Sequence, residues 1–150
     1  MSPDHIEAMR AASSYARQSG DDVPVGAVVL DDSGDVIARG CNAREAVGDP
    51  TAHAEVMALR EAARVRGAWR LDGCTLVVTL EPCPMCAGAL SLARVDRVVF
   101  GAWNDEYGAA GSVWDLLRDR RVSHRPEVIG GVLAAECSSL LKAFFDSRRD

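Results

Sequence analysis

The sequence lacks any apolar run long enough to span a membrane, and its first twenty residues, MSPDHIEAMRAASSYARQSG, lack the apolar core of a signal peptide. It also lacks an even number of cysteines, so its five thiols cannot all pair within one chain. These absences argue against a membrane protein and against a secreted disulfide scaffold. We therefore expect a cytoplasmic protein whose cysteines stay reduced.

Aromatic residues and positive charge are also scarce. Aromatic residues make up 5% of the chain, Lys142 is its only lysine, and the formal net charge is −5. Domains that bind nucleic acid by bulk electrostatics are usually basic, so the overall charge argues against that mode of binding. Arginines cluster only locally, at residues 118–125 and at Arg148 and Arg149.

Apolar periodicity predicts a single α/β domain over residues 1–150. Residues 2–19 have helical spacing, and Gly20 is expected to end that helix. An antiparallel hairpin follows in VPVGAVVLDDSGDVIARG, whose first strand is apolar enough to be covered on both faces. The order strand, helix, strand in CTLVVTLE, PMCAGALSLARV and RVVFGAW predicts a parallel crossover. The remaining elements are a short helix in SVWDLLRD, a short strand in RPEVIGG and a final amphipathic helix in LAAECSSLLKAFFDSRR.

The clearest predicted helix is GDPTAHAEVMALREAARVRG. Asp49 or Thr51 can cap its N-terminus, Pro50 suits its first turn, and Gly67 is expected to end it. Residues with high helix propensity fill the interval. His53 and Glu55 lie near the start of this helix.

The stretch EPCPMCAG, residues 81–88, places Cys83 and Cys86 three residues apart at a helix start, where both thiols can bind one ion. A single C-x-x-C is shared by disulfides, redox pairs, structural zinc sites and catalytic metal sites. His53 favours the last of these, because one imidazole and two thiolates suit zinc. Three protein ligands also leave a fourth position open, as in catalytic zinc sites.

Glu55 fits this arrangement as a partner of the metal rather than as a ligand. Two residues after His53, it lies on a different face of the helix. Zinc lowers the pKa of a bound water from about 16 to roughly 7, and Glu55 could accept the proton. The alternative is a closed structural site with a fourth side-chain ligand, for which the candidates are Cys41, Cys74, Cys137, His5 and His124.

H-x-E followed by P-C-x-x-C is the signature of zinc-dependent nucleobase deaminases, and HAE at residues 53–55 with PCPMC at residues 82–86 matches it. The chain further resembles the bacterial tRNA-specific adenosine deaminases, from about residue 6 to residue 149. The resemblance is carried by VPVGAVV, DPTAHAEVMALR, TLEPCPMCAGAL, RVVFGA, GAAGS and ECSSLLKAFF. It implies hydrolytic conversion of the wobble adenosine in an arginine tRNA anticodon to inosine.

The same resemblance implies the architecture and the metal site. We expect a three-layer α/β/α cytidine-deaminase-like fold, with a mixed central sheet of about five strands, and a homodimer. One Zn²⁺ per subunit would be held by His53, Cys83 and Cys86, and Glu55 would shuttle protons between water, the ring nitrogen and the leaving amine.

Substrate contacts follow from the resemblance too. Val25 and Asn42 match family positions that line the adenine pocket, and Ala54 is assigned to substrate binding with them. Phe145 is the leading candidate for contact with the tRNA anticodon stem-loop, and Arg148 and Arg149 are candidates for phosphate attraction. The other candidates for stacking on bases are Phe144, Trp103 and Tyr107, although a core or dimer position is the simpler interpretation of each.

The chain departs from the family in GAWNDEYGAAGS. Asn104 stands where the family commonly has aspartate, and Glu106 where it has lysine, in a loop expected near the RNA. Loss of a basic side chain there should weaken phosphate attraction. Two other functions stay open: a zinc-dependent deaminase of free nucleobases or nucleosides, such as cytosine or guanine, and a non-catalytic zinc-stabilised RNA-binding or interaction module.

Overall fold

The computed structural model describes residues 3–148 and begins with helix α1 (Pro3–Ala16). The last turn tightens into a 3-10 helix at Arg17–Ser19, and Gly20 then reverses the chain with a φ of 62°. The helix predicted over residues 2–19 is therefore α-helical only as far as Ala16, and residue 2 lies outside the described part of the chain.

A five-stranded mixed sheet forms the centre of the fold. Its strands are β1 (Gly26–Leu30), β2 (Val36–Cys41), β3 (Thr75–Leu80), β4 (Arg97–Ala102) and β5 (Glu127–Ile129). The spatial order is β2-β1-β3-β4-β5. Strand β1 pairs antiparallel with β2 and β3, whereas β3, β4 and β5 run parallel. The predicted hairpin, parallel crossover and mixed sheet are confirmed.

Helices cover both faces of this sheet. Helices α3 (Ala54–Arg66) and α4 (Pro84–Leu92) pack on one face, and α1 and α5 (Ala134–Ser147) pack on the other. Strand β1 supplies both cores in alternation, because successive side chains of a strand point to opposite faces. Its Ala27 and Val29 join the α3–α4 side, and its Val28 and Leu30 join the α1–α5 side. The expected three-layer α/β/α fold is confirmed.

Two short elements differ from the prediction. The structure contains a four-residue helix, α2 (Arg44–Val47), that the apolar pattern of the sequence did not predict. The helix predicted in residues 112–119 is wrong in type and length, since only the 3-10 turn Leu116–Arg118 forms there. Its backbone groups are used elsewhere: the N–H of Gly111 donates to the carbonyl of Trp114, and the N–H of Leu116 donates to that of Ala109.

Helix α3 approaches β2 closely at Gly40. A Cβ added at Gly40 would overlap the backbone of Ala54 and Ala58, so only glycine allows this contact. The contact brings the N-terminus of α3 to the end of β2. His53 and Glu55 are thereby placed beside Asn42, which directly follows β2.

The N-terminal cap predicted for α3, Asp49 or Thr51, is wrong, because the helix begins later. The helix begins at Ala54. His53 is its N-cap residue, but the His53 side chain forms no capping hydrogen bond. Asp49 instead accepts hydrogen bonds from the backbone and hydroxyl of Thr51, both at 2.8 Å, within the preceding turn. The N–H of Ala54, which has no partner within the helix, donates to the side-chain oxygen of Asn42 at 2.9 Å. Asn42, from outside the helix, therefore takes the capping role. Gly67 ends the helix at a φ of 68°, as predicted.

Candidate metal centre and substrate cavity

Three predicted metal ligands converge where α3 and α4 begin. His53 and Cys83 are the N-cap residues of these helices, and Cys86 lies in the first turn of α4. The Nδ1 atom of His53 lies 3.7 Å from the Sγ of Cys83 and 3.6 Å from the Sγ of Cys86. Nitrogen and sulfur ligands at ordinary zinc distances around a tetrahedral ion are separated by about 3.6 Å. The three side chains are therefore positioned to bind one Zn²⁺.

The converging set distinguishes between the alternatives. Among residues 3–148 it comprises His53, Cys83 and Cys86, all within 4.8 Å of one another, and none of the five candidate fourth ligands belongs to it. All five cysteines are free thiols, so the C-x-x-C is not a disulfide in this structure. Three ligands at one place are the donor set of an open zinc site.

The thiols of Cys83 and Cys86 are hydrogen-bonded to each other, and this bond shifts their pKa values in opposite directions. A hydrogen bond from the Cys86 thiol, with further ones from His53 and the Cys86 amide, lowers the pKa of Cys83 to about 4. The same bond, added to burial, raises the pKa of Cys86 far above its ordinary value. His53 has a raised pKa because it donates a hydrogen bond to the Cys83 thiolate. Cys83 is therefore ready to bind a cation as a thiolate, and binding by Cys86 as well would release the proton that Cys86 holds.

Glu55 lies in the first turn of α3 with only 4% of its surface exposed. Burial raises the pKa of its carboxyl to about 7, because the charged form loses its solvation. A carboxyl with that pKa can take up and return a proton near neutral pH. Glu55 is not among the described residues whose ligand atoms converge.

A cavity of about 730 Å³ opens beside the metal ligands. His53, Glu55 and Cys83 line it together with three residues assigned to the substrate from the sequence, Val25, Asn42 and Phe145. Its volume falls within the range of small-molecule sites, about 300 to 1,000 Å³. The cavity can hold a purine and its sugar.

Asn42 ties the cavity wall to the start of α3. It is 7% exposed, its side-chain oxygen accepts from Ala54, and its side-chain nitrogen donates to the carbonyl of Val23 at 3.0 Å. An amide nitrogen carries two N–H groups, so one remains for a ligand. Ala54 contributes its backbone N–H to this arrangement and is itself fully buried.

Comparison with known proteins places this donor set in a family. Residues 2–102 match the sequence model of the cytidine and deoxycytidylate deaminase zinc-binding region. The chain belongs to this family. The zinc site and the deaminase signature predicted from the sequence are features of that family, and the protein is a zinc-type hydrolytic enzyme.

Within the deaminase family, the chain is similar to several tRNA-specific adenosine deaminases. It is 48% identical to the one from Bacillus subtilis (strain 168), over 95% of this chain and 87% of that protein. It is 42% identical to one from Streptococcus pyogenes, over 96% of this chain and 89% of that protein. The resemblance stated from the sequence is confirmed.

Solved structures agree in fold. One, from a study of A-to-I editing by tRNA:A34 deaminases at the wobble position of transfer RNA, superposes with a TM-score of 0.86 at 41% identity, covering 90% of this chain and 99% of that one. A guanine deaminase from Nitrosomonas europaea superposes with a TM-score of 0.77 at 27% identity, covering 95% of this chain and 84% of that one. The three-layer fold of the deaminase family is therefore shared with an enzyme named for a free base.

The predicted RNA contacts are placed unequally around this deaminase cavity. Phe145 is 51% exposed and lines it. Arg148 is not one of the described residues that line the cavity; its guanidinium lies 3.7 Å from the ring centre of Phe144 and pairs with Asp21 at 3.6 Å. Arg149 lies outside the described residues.

Arg44 was missed by the sequence analysis and also lines the cavity. Its backbone and guanidinium donate to Asp22, whose side chain is only 1% exposed. Burial alone would raise the pKa of Asp22, but the hydrogen bonds from Arg44 and from the amide of Val23 lower it below its ordinary value. No spacing rule links residues 22 positions apart, so the sequence carried no signal for this pair.

Glu81 was the second omission. It is 1% exposed, lines the cavity and accepts three backbone hydrogen bonds from residues 104–112. A signal for it existed, because an acidic residue at the end of a buried strand requires partners.

Among the helices that the structure describes, none combines the length and apolarity needed to cross a membrane.

Proposed function

We propose that this protein is a zinc-dependent hydrolase that converts the wobble adenosine of a tRNA anticodon to inosine. The observation that carries the proposal is the buried carboxyl of Glu55 beside the three converging metal ligands, in the wall of a cavity sized for a nucleoside. Similarity to tRNA-specific adenosine deaminases over nearly the whole chain supports adenosine in tRNA as the substrate.

The reaction replaces the amino group of adenine with oxygen: a bond from C6 to a water oxygen forms, the bond from C6 to the amino nitrogen breaks, and ammonia leaves. Zinc bound by His53, Cys83 and Cys86 would supply the Lewis acidity that ionises water near neutral pH. Glu55 accepts the water proton, then returns protons to the ring nitrogen and to the departing amine. A pKa near 7 suits both directions of transfer.

Three further residues are proposed to orient the base, two of them directly. The second N–H of the Asn42 amide is proposed to donate to an acceptor atom of adenine, since its first N–H is used by Val23. Val25 supplies an apolar surface for the ring and is 3% exposed. Ala54 is fully buried and is not among the described residues that line the cavity, so its proposed part is indirect, through the backbone N–H that orients Asn42.

An anticodon loop suits this site because its bases are already unpaired. Extruding a base from a duplex costs a few kcal/mol, and least where the base is single-stranded. Phe145, exposed in the cavity wall, is proposed to contact a neighbouring nucleotide, and Arg148 and Arg149 are proposed to attract the phosphates. We propose an arginine tRNA as the natural substrate, on family resemblance.

The decisive assay incubates zinc-loaded protein with an anticodon stem-loop carrying adenosine at the wobble position and measures inosine and ammonia in equal amounts. A stem-loop with guanosine at that position is the matched control and should yield neither. Comparing stem-loops from several tRNAs tests the arginine assignment. Absence of inosine from every adenosine-bearing stem-loop would remove the proposed function.

A second candidate is deamination of free nucleobases or nucleosides. The observation in its favour is the loop of residues 104–106, which places two carboxylates, those of Asp105 and Glu106, in the cavity wall, together with the fold shared with a guanine deaminase. Incubation with guanine, cytosine and adenosine, followed by ammonia measurement, tests it. Ammonia from a free base in the absence of inosine from stem-loops would favour this second function.

We propose in addition that the protein is a homodimer. Support comes from apolar side chains exposed on neighbouring elements: Leu92 at the end of α4 is 70% exposed, and Trp114 and Leu116 are 44% and 39% exposed. Helix α4 packs against the 3-10 turn Leu116–Arg118, so Leu92 and Leu116 belong to elements in contact, and exposed apolar side chains close together are typical of an interface. Analytical ultracentrifugation should give a mass of twice the chain mass of 16.0 kDa. The Leu92→Glu variant should shift the measured mass toward that of a single chain.

A cytoplasmic location is part of the same proposal. All five cysteines are free in the structure, as expected where thiols are kept reduced. Fractionation of cells producing the tagged chain, with tRNA as the marker of the cytoplasmic fraction, tests it.

A further inference from the structure

Residues 103–107 form one side of the cavity mouth. All five line the cavity, and they directly follow β4. Two of them are aromatic and well exposed: Trp103 at 50% and Tyr107 at 61%. Neither is therefore a core residue. In a chain with so few aromatic residues, two exposed rings at the mouth of the substrate cavity require an explanation.

The backbone of this loop is held by the buried carboxylate of Glu81. One carboxylate oxygen accepts from the N–H of Asn104 at 3.1 Å, and the other accepts from the N–H groups of Ala110 and Ser112 at 2.9 and 3.0 Å. The side-chain oxygen of Asn104 in turn accepts from the N–H of Tyr107 at 3.0 Å. These bonds order the loop before any substrate binds.

Trp103 is fixed from behind by Phe100. The two rings meet edge to face, with centroids 4.8 Å apart and planes at 85°, and Phe100 is fully buried. Trp103 is therefore half-exposed, lines the cavity and rests on a buried aromatic support. A ring held in this way loses little conformational entropy when a ligand packs on it.

The charges of the loop exclude phosphate as its ligand. Asp105 and Glu106 line the cavity beside the aromatic rings, and neither forms an ion pair with any residue in the described part of the chain. Carboxylates repel the phosphate backbone, whereas the face of a nucleobase is uncharged and stacks on aromatic rings. The chemistry of this loop thus fits a base and not the backbone.

We propose that Trp103 is a stacking platform for the nucleobase next to the target base in the RNA loop. The inference rests on the proposed function and names a contact that selects polynucleotide over free nucleoside. A free base or nucleoside has no neighbouring base, so it would occupy the cavity without touching the indole. Recognition through stacking also allows this loop to contribute to RNA binding although its charge is negative.

The test is a double-mutant cycle between Trp103 and the RNA. Deamination of the intact stem-loop is compared with that of two stem-loops in which the nucleotide 5′ or 3′ of the target is abasic. Trp103→Leu should raise KM for the intact stem-loop by about 5- to 150-fold, the range expected when one stacked base is removed, with kcat unchanged. On the abasic stem-loop that lacks the stacked base, wild type and Trp103→Leu should have equal KM.

Two matched variants control for structural effects. Trp103→Phe keeps an aromatic face and should retain most of the affinity. Trp69→Leu removes another exposed tryptophan, 62% exposed and not among the described residues of the cavity wall, and should behave as wild type. Equal KM for wild type and Trp103→Leu on the intact stem-loop, or an equal loss on both abasic stem-loops, would overturn the proposal.

A binding measurement keeps the inference separate from the chemistry. In the double variant Trp69→Phe with Trp114→Phe, Trp103 is the remaining tryptophan, and the intact stem-loop should quench its fluorescence more than the abasic one. Quenching without inosine formation would retain the stacking contact and reject the proposed deamination. Inosine formation with identical quenching by intact and abasic stem-loops would reject the stacking contact alone.

Discussion

The side-chain oxygen of Asn42 accepts the backbone N–H of Ala54 at 2.9 Å, although the two residues belong to different elements. Asn42 follows β2, and Ala54 is the first residue of α3, directly between His53 and Glu55. One hydrogen bond thus joins the sheet to the helix start that carries the candidate metal ligand His53 and the buried carboxyl of Glu55. The side chain that caps α3 is therefore also part of the cavity wall.

Asn42→Ala should reduce both stability and activity. The change leaves the N–H of Ala54 without a partner and removes one of the two hydrogen bonds that the carbonyl of Val23 accepts, which costs about 1–3 kcal/mol in the free energy of unfolding. Urea unfolding of the zinc-loaded protein measures the cost. Asn42→Asp is the matched control, because it keeps an acceptor for Ala54; it should recover most of the stability but not the affinity for RNA. Equal stability of Asn42→Ala and wild type would contradict the capping role.

Glu55→Gln should abolish turnover while the metal stays bound. Glutamine preserves the shape of the side chain but cannot exchange protons, and general acid–base catalysis is worth about 10²- to 10⁴-fold in rate. Zinc content by atomic absorption and inosine formation are measured on the same sample. Glu61→Gln alters an exposed carboxylate of the same helix that pairs with Arg64, and it should leave turnover unchanged. Substantial activity in Glu55→Gln would exclude Glu55 from proton transfer.

Removal of zinc should abolish activity, and its return should release protons. In the metal-free site Cys83 is already a thiolate and Cys86 holds its proton, so zinc binding at pH 7 should release at least one proton per chain. A pH indicator in weak buffer records the release during titration of the chelator-treated protein with zinc. Restored turnover without proton release would show that Cys86 is not a thiolate ligand.

Asp22→Asn should destabilise the protein in a pH-dependent way. The folded-state pKa of Asp22 is lowered, so its stabilising effect is fully present above the unfolded-state pKa of about 4 and is lost as the pH falls through the folded-state value. Because Arg44 is partly exposed, we expect a loss of about 1–3 kcal/mol at pH 7. Urea unfolding at pH 7 and at pH values below 4 should show the difference between variant and wild type shrinking with acid. A difference that grows with acid would reverse the sign assigned to this pair.

Arg148→Ala should weaken RNA binding and reduce its dependence on salt. Removing one side chain that binds a phosphate lowers the slope of log affinity against log salt by roughly one. Titration of the stem-loop by fluorescence anisotropy across a salt series gives the slope. Arg121→Ala removes an exposed arginine that already pairs with Asp119 and lies outside the C-terminal residues proposed to attract phosphate, and it should leave the slope unchanged. An unchanged slope for Arg148→Ala would restrict Arg148 to its interactions with Asp21 and Phe144.

The convergence of His53, Cys83 and Cys86 could be predicted because the spacing that indicates it is local. Cys83 and Cys86 share one helix turn, His53 and Glu55 share another, and short spacing together with side-chain type defines the donor set. The hairpin and the parallel crossover were predictable for a similar reason, since apolar patterning and turn residues act over a few positions.

Contacts between distant segments depended on the tertiary structure. The cap of α3 was assigned to Asp49 or Thr51 by proximity in sequence, but the helix begins later and Asn42 takes the role. Likewise Glu81 accepts a hydrogen bond from the backbone of a loop more than twenty residues away. The exposure of Trp103 depends on the path of that loop along the cavity wall. Hydrogen bonds of this kind form only after chain collapse brings unsatisfied backbone groups together, and no sequence period marks them in advance.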